Sequence, residues 1–129
     1  SQVKWSTKLI DTGYCGDWDW DLSPNEIKAL LSFLEDVANK TWGEITSELV
    51  GSGKHGSRHH KHHDQGIDTL CSDAQDRLAV HLANQELPET LFRFRLSGKT
   101  RLWGTRTREV FNIVWFDRNH CVYPTSKGR

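Results

Sequence analysis

The chain has no run of about 18 apolar residues that would cross a membrane, and its first residues, Ser1 to Gly13, lack the apolar core of a secretory signal. A membrane partner is therefore not expected, and a cytoplasmic location is. The chain opens on Ser1 rather than methionine, which reads as a processed or trimmed start. Cysteine is scarce. Cys15, Cys71 and Cys121 are odd in number, widely spaced and without a close metal-type pair, so free thiols in a reducing compartment are expected rather than a disulfide frame. Also missing are a phosphate-loop signature, a dinucleotide fingerprint, a nucleophile elbow and a zinc-protease helix. Their absence removes the commonest routes to nucleotide, nicotinamide, serine-hydrolase and zinc-peptidase chemistry, and no cofactor is expected.

Net charge is absent as well, with 17 basic and 17 acidic side chains, but the charge is segregated. Residues 91–129 hold nine Lys and Arg against two acids, and residues 1–50 hold four against nine. A neutral total with one concentrated basic region points to a phosphate-bearing partner on one face. At 129 residues, one domain over 1–129 is the expectation, with 36% hydrophobic residues to build a core.

Punctuation and periodicity predict an α+β chain in the order β-α-α-β-β-β. Val3–Ile10 reads as a first strand. Ser23-Pro24-Asn25-Glu26 offers a capping serine, a proline in the first turn and a capping-box glutamate, and Ile27, Leu30, Leu31, Leu34 and Ala38 follow at helical spacing up to about Lys40. Residues 44–49 extend this helix or make a short turn. Residues 50–66 carry no apolar periodicity and read as a long loop. A second helix is expected from Ser72, capped through Gln75, with Ala74, Leu78 and Leu82 buried. Three strands follow: Leu91–Leu96, Thr100–Arg106 and the nearly all-apolar Val110–Phe116, with turns at Ser97–Lys99 and Thr107–Glu109. Phe92, Phe94 and Leu96 should face one way, Arg93 and Arg95 the other. His120–Tyr123 suggests a short last strand.

Three groups carry candidate chemistry. His55, His59, His60, His62 and His63 crowd one loop with Lys54, Arg58 and Lys61. The loop reads as a basic closure over nucleic acid, as a zinc, nickel or copper site, or as a solvated stretch. His120 follows the apolar strand, three residues after Asp117, which can orient an imidazole or raise its pKa by charge proximity; the other reading is a histidine that hydrogen-bonds a turn. Arg93, Arg95 and Arg101 stand on adjacent strands beside Lys99, Arg106 and Arg108, and read as a phosphate contact, since a planar guanidinium suits phosphate oxygens, or as a solvated polar face. Trp103 shares a face with Arg101 and either stacks on a base or packs the core. Asp17, Asp19 and Asp21 alternate with Trp18 and Trp20, which reads as turn chemistry or as carboxylates for a divalent ion.

Arg101-Leu102-Trp103-Gly104, then Phe111–Val114, then Trp115-Phe116-Asp117-Arg118-Asn119-His120, then Val122-Tyr123-Pro124 resemble the RxWG, apolar strand, WxDxxH and VYP run of RelE-like bacterial and phage proteins. The element order is similar to that of the RelE/ParE toxin superfamily, with two helices packed on an antiparallel sheet. The resemblance implies the toxin of a toxin–antitoxin pair, a metal-independent endoribonuclease that cuts RNA, on the ribosome or off it, through attack of the 2′-hydroxyl on the adjacent phosphate. It implies His120 with His62 or His63 as acid and base, and Arg95 and Arg101 on the phosphate. Arg93, Lys61, Trp103, Asp117 and Tyr123 would bind substrate. An antitoxin with an acidic segment would cover the basic sheet. The same resemblance carries an alternative, a non-catalytic module that binds nucleic acid or a gyrase-type protein target.

Overall fold

The computed structural model describes residues 1–51 and 58–124. Along them run β1 (Lys4–Ser6), α1 (Pro24–Ala38), α2 (Trp42–Ser47), β2 (Leu49–Val50), β3 (His59–His60), β4 (His63–Gly66), a 3-10 turn at Ile67–Thr69, α3 (Ser72–His81), β5 (Thr90–Ser97), β6 (Thr100–Thr107) and β7 (Val110–Asp117). Five strands form one sheet in the order β1-β7-β6-β5-β4; β1 lies parallel to β7 and the other pairs are antiparallel. β2 and β3 make a separate two-stranded ribbon. The fold is mixed α+β. Among the described residues, no helix is long and apolar enough to cross a membrane. Lys54 and His55, and the end at 125–129 expected to fray, lie outside the described residues.

The helices cover both faces of the sheet. Leu34 and Val37 of α1, Trp42 and Ile45 of α2, and Val3 pack against Phe92, Phe94, Leu102, Phe111, Ile113 and Phe116. On the opposite face Ala74 and Leu78 of α3, Leu82, and Trp18 pack against Leu91, Trp103, Val114 and Trp115. Strand alternation sends neighbouring side chains to opposite faces, so a strand apolar at nearly every position needs a cover on each side. β7, buried from Phe111 to Asp117, is that strand. One irregularity breaks its alternation. Trp103 pairs with Trp115 while Gly104 pairs with Ile113, leaving Val114 as the extra residue of a bulge. Gly104 is confined to glycine by this approach, because a Cβ there would sit 2.2 Å from the Asn112 carbonyl oxygen.

Several expectations need correction. The first strand is three residues long, since the chain turns after Ser6, with Ile10 N–H donating to Thr7 O at 3.2 Å. Residues 42–47 are a separate helix with its own capping box, Thr41 and Glu44, and do not extend α1. In α1 the Ser23–Glu26 box is present, but Ile27 and Leu31 are exposed and the inward stripe is Leu30, Phe33, Leu34 and Val37. α3 is capped at Cys71 without a side-chain bond, and Gln75 instead donates its amide to Leu70 O at 2.8 Å. The stretch 50–66 is not simply a loop, because it supplies β3 and β4. His120–Tyr123 is a turn, with His120 in the left-handed region at φ 58°.

Candidate anion-binding site

The α3 face of the sheet changes character along its length. Leu91, Trp103, Val114 and Trp115 lie under α3. Beyond that cover the same face carries arginine. Register sets two rows across it: His63, Arg93 and Trp103 in one, Arg95, Arg101 and Asp117 in the next. The hairpin turn at Gly98, with φ 45°, closes β5 on β6 and brings Arg95 opposite Arg101.

Arg93 is the centre of the site. Its Nη1 donates to His120 Nε2 at 2.9 Å and its Nη2 to His63 Nε2 at 2.5 Å. The guanidinium carbon lies 5.5 Å from the Tyr123 ring centre and 6.0 Å from that of Trp103. A guanidinium only donates, so both Nε2 atoms are acceptors and both rings are neutral, with the proton on Nδ1. The field agrees. Burial and then the Arg93 charge hold His63 below the usual imidazole range. Burial, then Arg101 and Arg93, do the same to His120 and outweigh Asp117, so the expected rise from that carboxylate does not occur. Burial, Arg95 and Arg93 bring Arg101 down to about 10. Two buried nitrogens of the cluster, Arg93 Nε and His120 Nδ1, have no partner among the described residues.

Asp117 builds the turn that presents His120. Its Oδ1 accepts from Cys121 N at 2.8 Å, and its Oδ2 from Val122 N at 2.9 Å and the Trp103 indole at 3.1 Å. Asp117 and Trp103 are fully buried. They support the site from beneath, and neither offers a surface to a substrate. Tyr123 is half-buried beside His120, with ring centres 6.3 Å apart.

The two adjacent loop histidines are separated by strand parity. His63 faces Arg93. His62 lies on the α1 face, 2% exposed, against Phe33 and Phe94. Its Nδ1 accepts the Arg95 backbone N–H at 3.0 Å, taking the place of a ladder carbonyl, and its Nε2 is 3.5 Å from Glu48 Oε1. Burial pushes its pKa down to about 4. Lys61 also turns to Glu48, with Nζ 3.5 Å from Oε1. His62 and Lys61 are therefore not gathered with Arg93, Arg95, Arg101, His63, His120 and Tyr123.

A groove of about 470 Å³ opens onto this cluster, lined by Arg58, His59, His60, His63 and Arg93. A slightly larger hollow of about 520 Å³ runs along α1 by Phe33, Asp36 and Leu96. Its lining does not suit an anion, since it offers the carboxylates of Glu35 and Asp36 and no cation. Sequence reasoning missed Glu48 and the groove role of His60, whose Nδ1 donates to Thr46 O at 2.9 Å. His60 was visible only as one of the clustered loop histidines, and nothing local marks Glu48. Among the described residues no group of three or more His, Cys, Asp or Glu is arranged to hold a metal ion. The Asp17–Asp21 stretch is turn chemistry: Asp19 accepts from Gly16 N at 3.0 Å and from Asp21 N at 3.1 Å.

Comparison with protein-family models, with curated proteins and with solved structures gave no match to this chain.

Proposed function

We propose that this chain is a RelE-like, metal-independent endoribonuclease, the toxin of a toxin–antitoxin pair. The observation that carries the reading is the pair of imidazoles bonded to the two terminal nitrogens of one half-buried arginine, on a face that also carries Arg95 and Arg101. Cleavage by a ribose 2′-hydroxyl needs a base for that hydroxyl, an acid for the leaving 5′-oxygen and cations beside the phosphate. A phosphate held by Arg93, Arg95 and Arg101 would have an imidazole on either side. His63 and His120 take the acid and base roles; Arg93, Arg95 and Arg101 hold the charge that grows on phosphorus; Tyr123 flanks the nucleotide. RNA is the substrate, free or on the ribosome, and an antitoxin's acidic segment is the natural cover for the same arginines.

The test is cleavage of a mixed RNA pool in EDTA by wild type, His63→Ala, His120→Ala and His62→Ala. The expected products carry 2′,3′-cyclic phosphate ends. His63→Ala and His120→Ala should each lose about 10²- to 10⁴-fold in rate. His62→Ala should lose stability first. RNA left intact by wild type, with and without translating ribosomes, overturns the nuclease reading. Salt-sensitive binding without cutting would then favour a binding module of the same fold.

A further inference from the structure

We propose that Arg93 is a proton-coupled latch: in the empty site it occupies the Nε2 atoms of both His63 and His120, and an arriving oxyanion draws it off so that both rings take up protons from solvent. This rests on the reading of the arginine face as a phosphate site.

The geometry gives the reason. One guanidinium donates in two directions, to His120 Nε2 at 2.9 Å and to His63 Nε2 at 2.5 Å. An imidazolium has no lone pair left to accept with, so protonating either ring breaks its bond to Arg93 and sets two cations against each other. The neighbours do not relieve this. His63 on β4 faces Arg93 from β5, Arg101 from β6 and His60 from β3, and shares the groove with Arg58. His120 faces Arg93 and Arg101, with Tyr123 beside it, and the one carboxylate that faces it, Asp117, already accepts three hydrogen bonds. Without an anion the site is held neutral at both rings.

A tetrahedral oxyanion reverses the balance. Its oxygens accept from the guanidinium in place of the two Nε2 atoms. Each freed Nε2 then gains a proton from water and becomes a donor to the same anion. The Arg93 Nε group, buried and unpartnered among the described residues, is a further donor that an oxyanion would satisfy. Up to two protons enter per anion. No bond other than N–H forms, and nothing is oxidised or reduced. With substrate bound both rings titrate nearer neutrality, so one can carry the proton of the acid while the other stays neutral as the base, although the empty site keeps both rings neutral.

The test follows the histidine Cε1–H resonances by NMR from about pH 4 to about pH 9, in sodium chloride and in sodium sulfate at matched ionic strength. Sulfate takes no proton in that range. His63→Gln and His120→Gln assign the two rings. In chloride both rings should titrate below the ordinary imidazole value of about 6.5. In saturating sulfate both should rise by about one unit or more, which makes sulfate about a hundredfold tighter at low than at high pH. The ring of His62 should not move. If the arginine side-chain signals show that sulfate binds while His63 and His120 titrate as in chloride, the latch is overturned and the phosphate site stands. If sulfate leaves the arginine signals unchanged at every pH, both the phosphate reading and the latch fail.

Discussion

At the scale of single residues, the adjacent pair His62 and His63 shows how one strand step separates two roles. His62 completes a backbone ladder. Replacing it by phenylalanine keeps the packing against Phe33 and Phe94 but strands the Arg95 N–H. Urea melts should show a loss of about 1–3 kcal/mol. Its titration also predicts acid lability. The folded pKa of about 4 lies below the ordinary value, so the stabilising contribution is complete above about pH 6.5 and drains away as pH falls toward 4. Stability measured from pH 7 down to 4 should fall in wild type and fall less steeply in His62→Phe. Asp117 predicts a different signature. Asp117→Asn replaces one acceptor oxygen by a donor, so at least one of Cys121 N, Val122 N and the Trp103 indole is left facing an N–H. A loss of about 2–4 kcal/mol is expected, with disturbance of the His120 resonance reporting that the turn has shifted.

At the scale of elements, the bulge in β7 is the feature on which the two cores depend. It sends both Val114 and Trp115 to the α3 face and returns Phe116 to the α1 face. Gly104 is its counterpart in β6. Gly104→Ala places a methyl against the Asn112 carbonyl and the Phe111 ring. The strands must part, and a loss of about 2–4 kcal/mol is expected in thermal melts. The capping boxes are a milder case. Ser23→Ala and Thr41→Ala should each cost about 1 kcal/mol. The Thr41 substitution should also loosen Glu48 at the end of α2, and with it the pins on Lys61 and His62.

At the scale of the whole molecule, charge is sorted between the ends of the chain, and the fold turns that sorting into a surface. The acids of the first third are spent largely on internal ties. Asp11 is fully buried, receives Arg77 at 2.6 and 2.8 Å and the Trp115 indole at 2.9 Å, and stitches the N-terminal segment to α3 and β7. Glu26 and Asp19 receive Arg118. Arg93, Arg95 and Arg101 have no such carboxylate partner among the described residues. If these three meet phosphates, affinity for single-stranded RNA should fall with salt with a log–log slope of about −2. Arg95→Ala should flatten that slope by about 0.7. If the chain is the proposed nuclease, the same surface sets the pH dependence of cleavage. Both imidazoles are depressed in the empty site, so kcat/KM should peak below about pH 6.5. It falls on the acid side as the base is protonated, and on the alkaline side as the acid loses its proton.

The sequence alone determined the three C-terminal strands, the two turns between them, the first helix with its capping box, and the basic character of one sheet face. Each rests on neighbours in the chain: period-two alternation from Phe92 to Arg95, glycine at the turn, serine and glutamate three residues apart. What only the tertiary structure decided depends on register and on distant partners. A two-residue ribbon and a four-residue strand have too few positions to show a period, so β3 and β4 read as loop. The parity that sends His63 to Arg93 and His62 to Glu48 follows from where β4 lands beside β5. The left-handed turn that carries His120 to the same guanidinium is held by Asp117, whose indole partner Trp103 lies on a neighbouring strand. Arg93, His63 and His120 were each visible as candidates, but their meeting around one arginine is a property of the packed sheet, because the contacts that create it span 27 and 30 residues of chain.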